Sequence, residues 1–220
     1  MNEKLIIIGA SGHGKVAADV ALKMKMWKNI YFLDDAKGFV SSLNLDVIGP
    51  VKDVRKYIRD ADIFVAIGDN RVRRSIQERI EIFGANVPVL IHPSAVVGSE
   101  VEINAGSILM AGAIINSSTA IGKGVIVNTG ASIDHDNVIE DYVHIAPGVH
   151  LAGSIKIGQQ TFIGIGSTVK NNVQITGECV IGAGSLVIKN IVEKGTYIGT
   201  PAKKMQPVNQ NTVPNTLKIL

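Results

Sequence analysis

Aromatic residues make up only 5% of this 220-residue chain, and it has a single cysteine, Cys179. One cysteine excludes an intrachain disulfide and a cysteine-built metal site. Its place in the repeat described below reads as that of a buried small hydrophobe. The charge is close to balanced, at +3. Basic residues cluster only at Arg71, Arg73, Arg74 and Arg79, on one expected helix, which is too little for a nucleic-acid footprint. No apolar run is long enough to span a membrane. The run Leu5-Ile6-Ile7-Ile8 is too short for a signal peptide and leads into glycines, not a cleavage site. These absences leave a soluble cytoplasmic protein as the expectation.

What is abundant is aliphatic side chains and glycine, with 46% hydrophobic residues and 23 glycines. Taken in steps of six from Val97 to Val187, the chain gives sixteen consecutive aliphatic residues. The position four further on is mostly small or β-branched, as at Ser107, Ala113, Thr119 and Val125. Neither the helix period nor the strand period produces a six-residue beat. Hexapeptide repeats build a parallel β-helix in which three hexads close one triangular coil. The hexad from Ile133 to Val138 is the most polar of the run and carries Asp134, His135, Asp136 and Asn137. With Ile133 inward, His135 points out at a corner, and Asn137 points in and needs hydrogen-bond partners.

The first 92 residues read differently. A buried strand at 4–9 is followed by Gly9-Ala10-Ser11-Gly12-His13-Gly14 and a helical pattern, the opening of a Rossmann-like unit. The glycine spacing departs from the dinucleotide fingerprint. A second strand at 30–33 ends in Asp34-Asp35, where ribose hydroxyls are held in such units. A third strand at 63–67 ends at Gly68, a helix is expected over 72–83 with Gly84 as C-cap, and a last strand over 87–91. His92 reads as a structural histidine at the turn into the solenoid. The expected domains are 1–92 and 93–205, with a disordered polar tail over 206–220.

Three features together resemble the PglD/NeuD-type bacterial sugar acyltransferases: the hexads, the front loop, and the closing Gly199-Thr200-Pro201-Ala202-Lys203. Leu33-Asp34-Asp35, Asn128-Thr129 and Asp134-His135-Asp136 add specificity. The resemblance implies an α/β Rossmann-like domain followed by an all-β left-handed parallel β-helix. It implies acetyl-CoA as cosubstrate, no metal, and a homotrimer with active sites between subunits. The implied reaction is N-acetylation of the 4-amino group of a nucleotide-linked amino-dideoxy sugar; O-acetylation of the sialic-acid type is the alternative. By resemblance His135 is the general base and Asp136 its acidic neighbour, with Asp134 sharing that role if the shorter Asp holds the ring less well. His144 contacts the acetyl group, and Ile165 and Ala183 the pantetheine arm. Ser11, Gly12, His13, Asp34, Asp35 and Gly68 contact the nucleotide sugar.

The chemistry fits these residue types. Amine attack on a thioester needs a base near neutral pKa, a carboxylate to orient it, and a donor for the oxyanion. Gly153, one coil below His135, offers such an N–H. His135 and His144 are nine residues apart, half a coil, so they fall on different faces and a site using both needs two chains. His150 reads as surface or interface. A zinc enzyme of the γ-carbonic-anhydrase kind and a non-catalytic nucleotide-sensing scaffold remain as rivals.

Overall fold

The computed structural model describes residues 3–36 and 43–206; the tail expected over 206–220 lies outside this range except for its first residue. The chain opens with β1 (Lys4–Ile8), α1 (Gly12–Met24) and β2 (Asn29–Leu33). A 3-10 helix (Val51–Lys56), β3 (Asp62–Val65) and α2 (Asn70–Ile82) follow. The three strands form a parallel sheet in the order β2-β1-β3. β1 is apolar throughout because both sheet faces are covered. On one face Leu5, Ile7, Phe32 and Phe64 pack with α1; on the other Ile6, Ile8, Leu33 and Ile63 pack with Val54 and Ile80. The Asp69 carboxylate caps α2 by accepting from the Arg71 and Val72 N–H groups, and Gly84 closes it with φ 84°.

The strand expected over 87–91 does not close that sheet. Only β4 (Leu90–Ile91) forms, and it pairs with β7 (Ile108–Leu109), so it is the first rung of the solenoid. Its short apolar run fits either location, and pairing partners decide between them. The remaining rungs run from β5 (Val96–Val97) through β20 (Leu186–Val187), each two residues long, and β21 (Thr196–Ile198) and β22 (Lys203–Lys204) close the end. They stack into three faces. The first holds β4, β7, β10 (Ile126–Val127), β13 (His144–Ile145), β16 (Phe162–Ile163) and β19 (Val180–Ile181); the second β5, β8 (Ile114–Ile115), β11 (Ser132–Ile133), β14 (His150–Leu151), β17 (Thr168–Val169) and β20; the third β6 (Glu102–Ile103), β9 (Ala120–Ile121), β12 (Val138–Ile139), β15 (Lys156–Ile157) and β18 (Gln174–Ile175). Partners lie eighteen residues apart, as Ile133 with Leu151 or Ile145 with Ile163.

The six-step column is the solenoid core. From Leu109 to Val187 every member is buried, each Ile or Val contributing roughly 1.5–3 kcal/mol. Val97, at the start of the column, is 40% exposed, because no earlier coil covers the second face there. The small inward residues four positions on are bonded upward and downward. Ser107 Oγ donates to the Gly122 carbonyl and accepts from the Val125 N–H, and Thr119, Thr161 and Ser167 repeat the pattern. Cys179 is buried in the same row.

The N-terminal unit docks on the first face. Helix α1 and the sheet share a core with Leu90, Ile108, Met110 and Ile126. Helix α2 lies against the corner between the third and first faces: Gln77 Nε2 donates to the Ala105 carbonyl and Asn70 Nδ2 to that of Gln160. Among the described residues no helix is long and apolar enough to cross a membrane.

Candidate functional site

The polar hexad forms the corner between β11 (Ser132–Ile133) on the second face and β12 (Val138–Ile139) on the third. Asp136 sits at φ 58°, a left-handed conformation in which Asp is tolerated. Its Oδ2 lies 2.7 Å from His135 Nδ1. Both side chains are more than half exposed. The hydrogen bond to Asp136, reinforced by the charges of Asp136 and Asp134, raises the His135 pKa above its ordinary value. Asp134 is engaged elsewhere: its Oδ1 accepts from Asn116 Nδ2 at 2.7 Å. The orienting contact therefore belongs to Asp136.

This corner is held from inside. Asn137 is fully buried; its Nδ2 donates to the carbonyls of Asp134 (2.6 Å) and Ala152 (3.0 Å), and its Oδ1 accepts from the Ile155 N–H (2.8 Å). The polar break in the aliphatic rows is thus a satisfied brace under His135. The ring lies over Gly153, where an added Cβ would come within 2.6 Å of His135 Cε1. Among the described residues the Gly153 N–H has no acceptor.

His144, on β13 (His144–Ile145), faces the other way, under the N-terminal unit. Its ring meets Phe162 edge-on at 5.1 Å and His13 at 6.4 Å between centroids. Burial first, then the Arg73 charge, pushes its pKa down to about 4, against a partial upward pull from the Gly68 backbone. His13 is pushed down to about 3 by burial, with His144 and Arg73 adding to the shift. Both imidazoles are neutral near pH 7. His13 Nε2 and His144 Nδ1 are shielded from solvent without an aligned hydrogen bond. Gly68 also lines a cleft of about 310 Å³ that runs past Asn70, Phe162 and Val180.

The glycine loop runs from the end of β1 to the start of α1. Gly9 has φ 99°, and Gly14 packs so closely on the Gly9 carbonyl that no side chain fits there. The first N–H groups of α1 have no intrahelical acceptor, which favours an anion at this point. Asp34 is committed to the loop: its Oδ2 accepts from the Ala10 N–H at 2.7 Å and its Oδ1 from that of Ala36 at 2.8 Å. Asp35 accepts from the Val51 N–H at 2.9 Å and is exposed. Asp34 therefore shapes the loop, and Asp35 is the freer acid.

Ile165 and Ala183 stand one coil apart at the corner between the first and second faces. Their N–H groups have no acceptor among the described residues, and Ile165 is 57% exposed. From the second coil on, this corner turns on a left-handed glycine: Gly112, Gly130, Gly148, Gly166 and Gly184. The second-to-third corner uses Glu100, Ser118, Asp136, Ser154 and Asn172 at the matching position. The missing side chains at these glycines let an extended ligand lie close to the backbone there.

Residues 4–80 match the PglD N-terminal domain family. The acetyltransferase domain of PglB from Neisseria gonorrhoeae, solved with acetyl coenzyme A, is 39% identical with a TM-score of 0.89, covering 93% of this chain and 100% of that one. This chain belongs to the PglD family of acetyltransferases. A second member, PerB from Caulobacter crescentus, solved with CoA and GDP-perosamine, is 33% identical (TM-score 0.85; 92% and 97% covered). UDP-N-acetylbacillosamine N-acetyltransferase of Bacillus subtilis is 35% identical over 112 residues; that match spans about half of each chain, 50% of this one and 52% of the relative.

As a PglD-family member the protein is an acyltransferase with acetyl-CoA as donor. The bare glycine corner and the free N–H groups of Ile165 and Ala183 fit an extended amide-bearing arm. Within one chain the candidate residues fall into three places: His135 with Asp136, the corner of Ile165 and Ala183, and the cluster of His13, Gly68 and His144 near the glycine loop. Sequence reasoning passed over Arg73, which joins the last cluster to the solenoid. It shares the buried stripe of α2 with Gln77 and Ile80, and that spacing was the available signal.

Proposed function

We propose that this enzyme acetylates the 4-amino group of a nucleotide-linked amino-dideoxy sugar in the cytoplasm, by direct attack of the amine on acetyl-CoA, in a homotrimer with sites between subunits. The observation that carries the reading is the His135–Asp136 hydrogen bond of 2.7 Å on an exposed corner. With Nδ1 bonded to the carboxylate, Nε2 is left to act as base. The amine nitrogen forms a bond to the thioester carbonyl carbon while His135 accepts a proton from it. The carbon–sulfur bond then breaks, and the thiolate leaving group takes up that proton. The Gly153 N–H supplies the donor for the developing oxyanion.

The second face separates the two halves of the reaction. His135 projects from one of its edges, and Ile165 and Ala183 from the other. Three prisms packed with their second faces inward bring the His135 edge of one copy beside the Ile165 edge of the next. Val96 and Ile114, exposed at 57% and 39%, are the apolar outward residues that such packing covers. His150, bonded to Ser132 Oγ at 2.8 Å, faces the same interior.

The acceptor side rests on the glycine loop, the open N-terminus of α1 and Asp35, which together suit a sugar diphosphate and its ribose. The relatives solved or curated with nucleotide amino sugars support the same class. Acetyl transfer to UDP-, GDP- and dTDP-linked 4-amino sugars, compared with free sialic acid, tests the reading. Transfer to sialic acid alone would replace it with sugar O-acetylation.

A further inference from the structure

Arg73 is 1% exposed, and all five of its N–H groups are used. Nε donates to the Gly124 carbonyl at 2.8 Å. Nη1 donates to the carbonyls of Ile67 (2.9 Å) and Gly68 (3.1 Å), and Nη2 to Asn70 Oδ1 (2.8 Å) and the Tyr142 carbonyl (3.0 Å). Two acceptors thus lie in the loop after β3 and two in the third-to-first corners of successive coils. No carboxylate is among the acceptors. Burial pushes the guanidinium pKa down to about 10, with Asp69 and Tyr142 opposing the shift, so the group stays charged. An apolar contact would join the two units without burying a charge. A rigid fork of donors is what registers four separate carbonyls at once.

The clamp ends beside His144, the residue that the family resemblance places at the acetyl group. Gly68 accepts from Arg73 and stands beside the His144 ring. Tyr142, the other anchor, lies two residues before His144 on the same coil. We propose that Arg73 is a positioning residue for acetyl transfer, its single guanidinium fixing the Gly68 loop of the acceptor-binding unit against the coils around His144 and so setting where the acceptor meets the acetyl group. This rests on the proposed function above. Arg73 touches neither substrate in this arrangement. Its charge also disfavours protonation of His13 and His144, which leaves uncharged rings along the clamp.

The test compares Arg73→Lys, which keeps the charge and loses the fork, with Arg73→Met. Steady-state kinetics are read with amide hydrogen exchange over residues 67–70. In both variants the KM for the nucleotide sugar should rise about tenfold or more, while that for acetyl-CoA stays within about twofold. Exchange should quicken in the 67–70 loop and not in the solenoid rungs. A folded variant with an unchanged KM for the sugar, an equal rise in both KM values, or uniform quickening would overturn the proposal. If Arg73→Met does not fold, Arg73→Lys and Asn70→Ala carry the same readouts. If the wild-type enzyme acetylates no nucleotide amino sugar, the proposed function fails, and loop exchange still reports whether the clamp exists.

Discussion

His135 and His144 lie on opposite flanks of the solenoid: one at the corner between the second and third faces, the other on the first face beneath the N-terminal unit. Half a coil separates them, and no side-chain movement closes that gap within one chain. A shared site makes the two histidines separable by complementation. In the proposed trimer, His135→Ala and His144→Ala should each be nearly inactive. Co-expression of the two variants should restore on the order of a quarter of wild-type activity across the randomly assembled population, because each mixed trimer holds one junction that pairs an intact His135 with an intact His144. No recovery in verified mixed trimers would show that both histidines must come from the same chain.

Asp136→Asn should move the acid limb of the kcat/KM profile. The carboxylate raises the His135 pKa, and the base works only when neutral. With His135 as the proposed base, wild-type activity should therefore rise with pH through a value above the ordinary 6.5 of histidine. Removing the charge should shift that limb to lower pH while kcat at its plateau falls by about 10- to 100-fold from lost orientation. An unshifted limb would detach Asp136 from the base.

Gly153→Ala puts a methyl group where the His135 ring lies, with 2.6 Å to Cε1. The ring is exposed and can swing aside, so folding should survive with a loss of under about 1 kcal/mol. Displacement of the base should lower kcat by about 100-fold, with the KM for acetyl-CoA little changed. Wild-type kcat in a crystal-verified Gly153→Ala would mean that the ring position seen here is not the working one.

His13 and His144 tie stability to pH. Their folded-state values, about 3 and about 4, lie below the unfolded value of 6.5. Above pH 6.5 both states are neutral and nothing changes. As pH falls below it, the unfolded chain binds protons that the folded chain refuses, so stability is lost, by at most about 1.4 kcal/mol per pH unit per histidine. Thermal unfolding between pH 7 and 4.5 should show this decline, and His144→Asn should make it shallower. An identical slope in the variant would remove His144 as a contributor.

Much of this was legible beforehand because a solenoid is nearly one-dimensional. The six-residue beat fixes which side chains point inward, and so where His135, Asn137 and His144 project. Asn137 had to be bonded once its position was known, and it is. The His92 ring accepts from the Ser94 N–H at 3.0 Å, in the structural role expected for it. The front unit was less legible because its contacts are not periodic. Leu90–Ile91 looked like a sheet strand because an apolar dipeptide carries no label for its partner. For Asp34 the sequence does not reveal that the Ala10 and Ala36 N–H groups bond its two oxygens and tie it to the loop.

The solenoid, its register, the exposed corner that carries His135 and Asp136, and the glycine-rich opening of the front unit can all be read from the order of residues. These follow from local rules: period, side-chain size and turn chemistry. The tertiary structure decided which carboxylate holds His135, that His144 and His13 are buried neutral partners under the front unit, and that Arg73 binds that unit to the coils. Those depend on contacts between residues tens of positions apart, as Arg73 with Tyr142. Such contacts arise only when the front unit docks on the first face, a packing that no local period encodes.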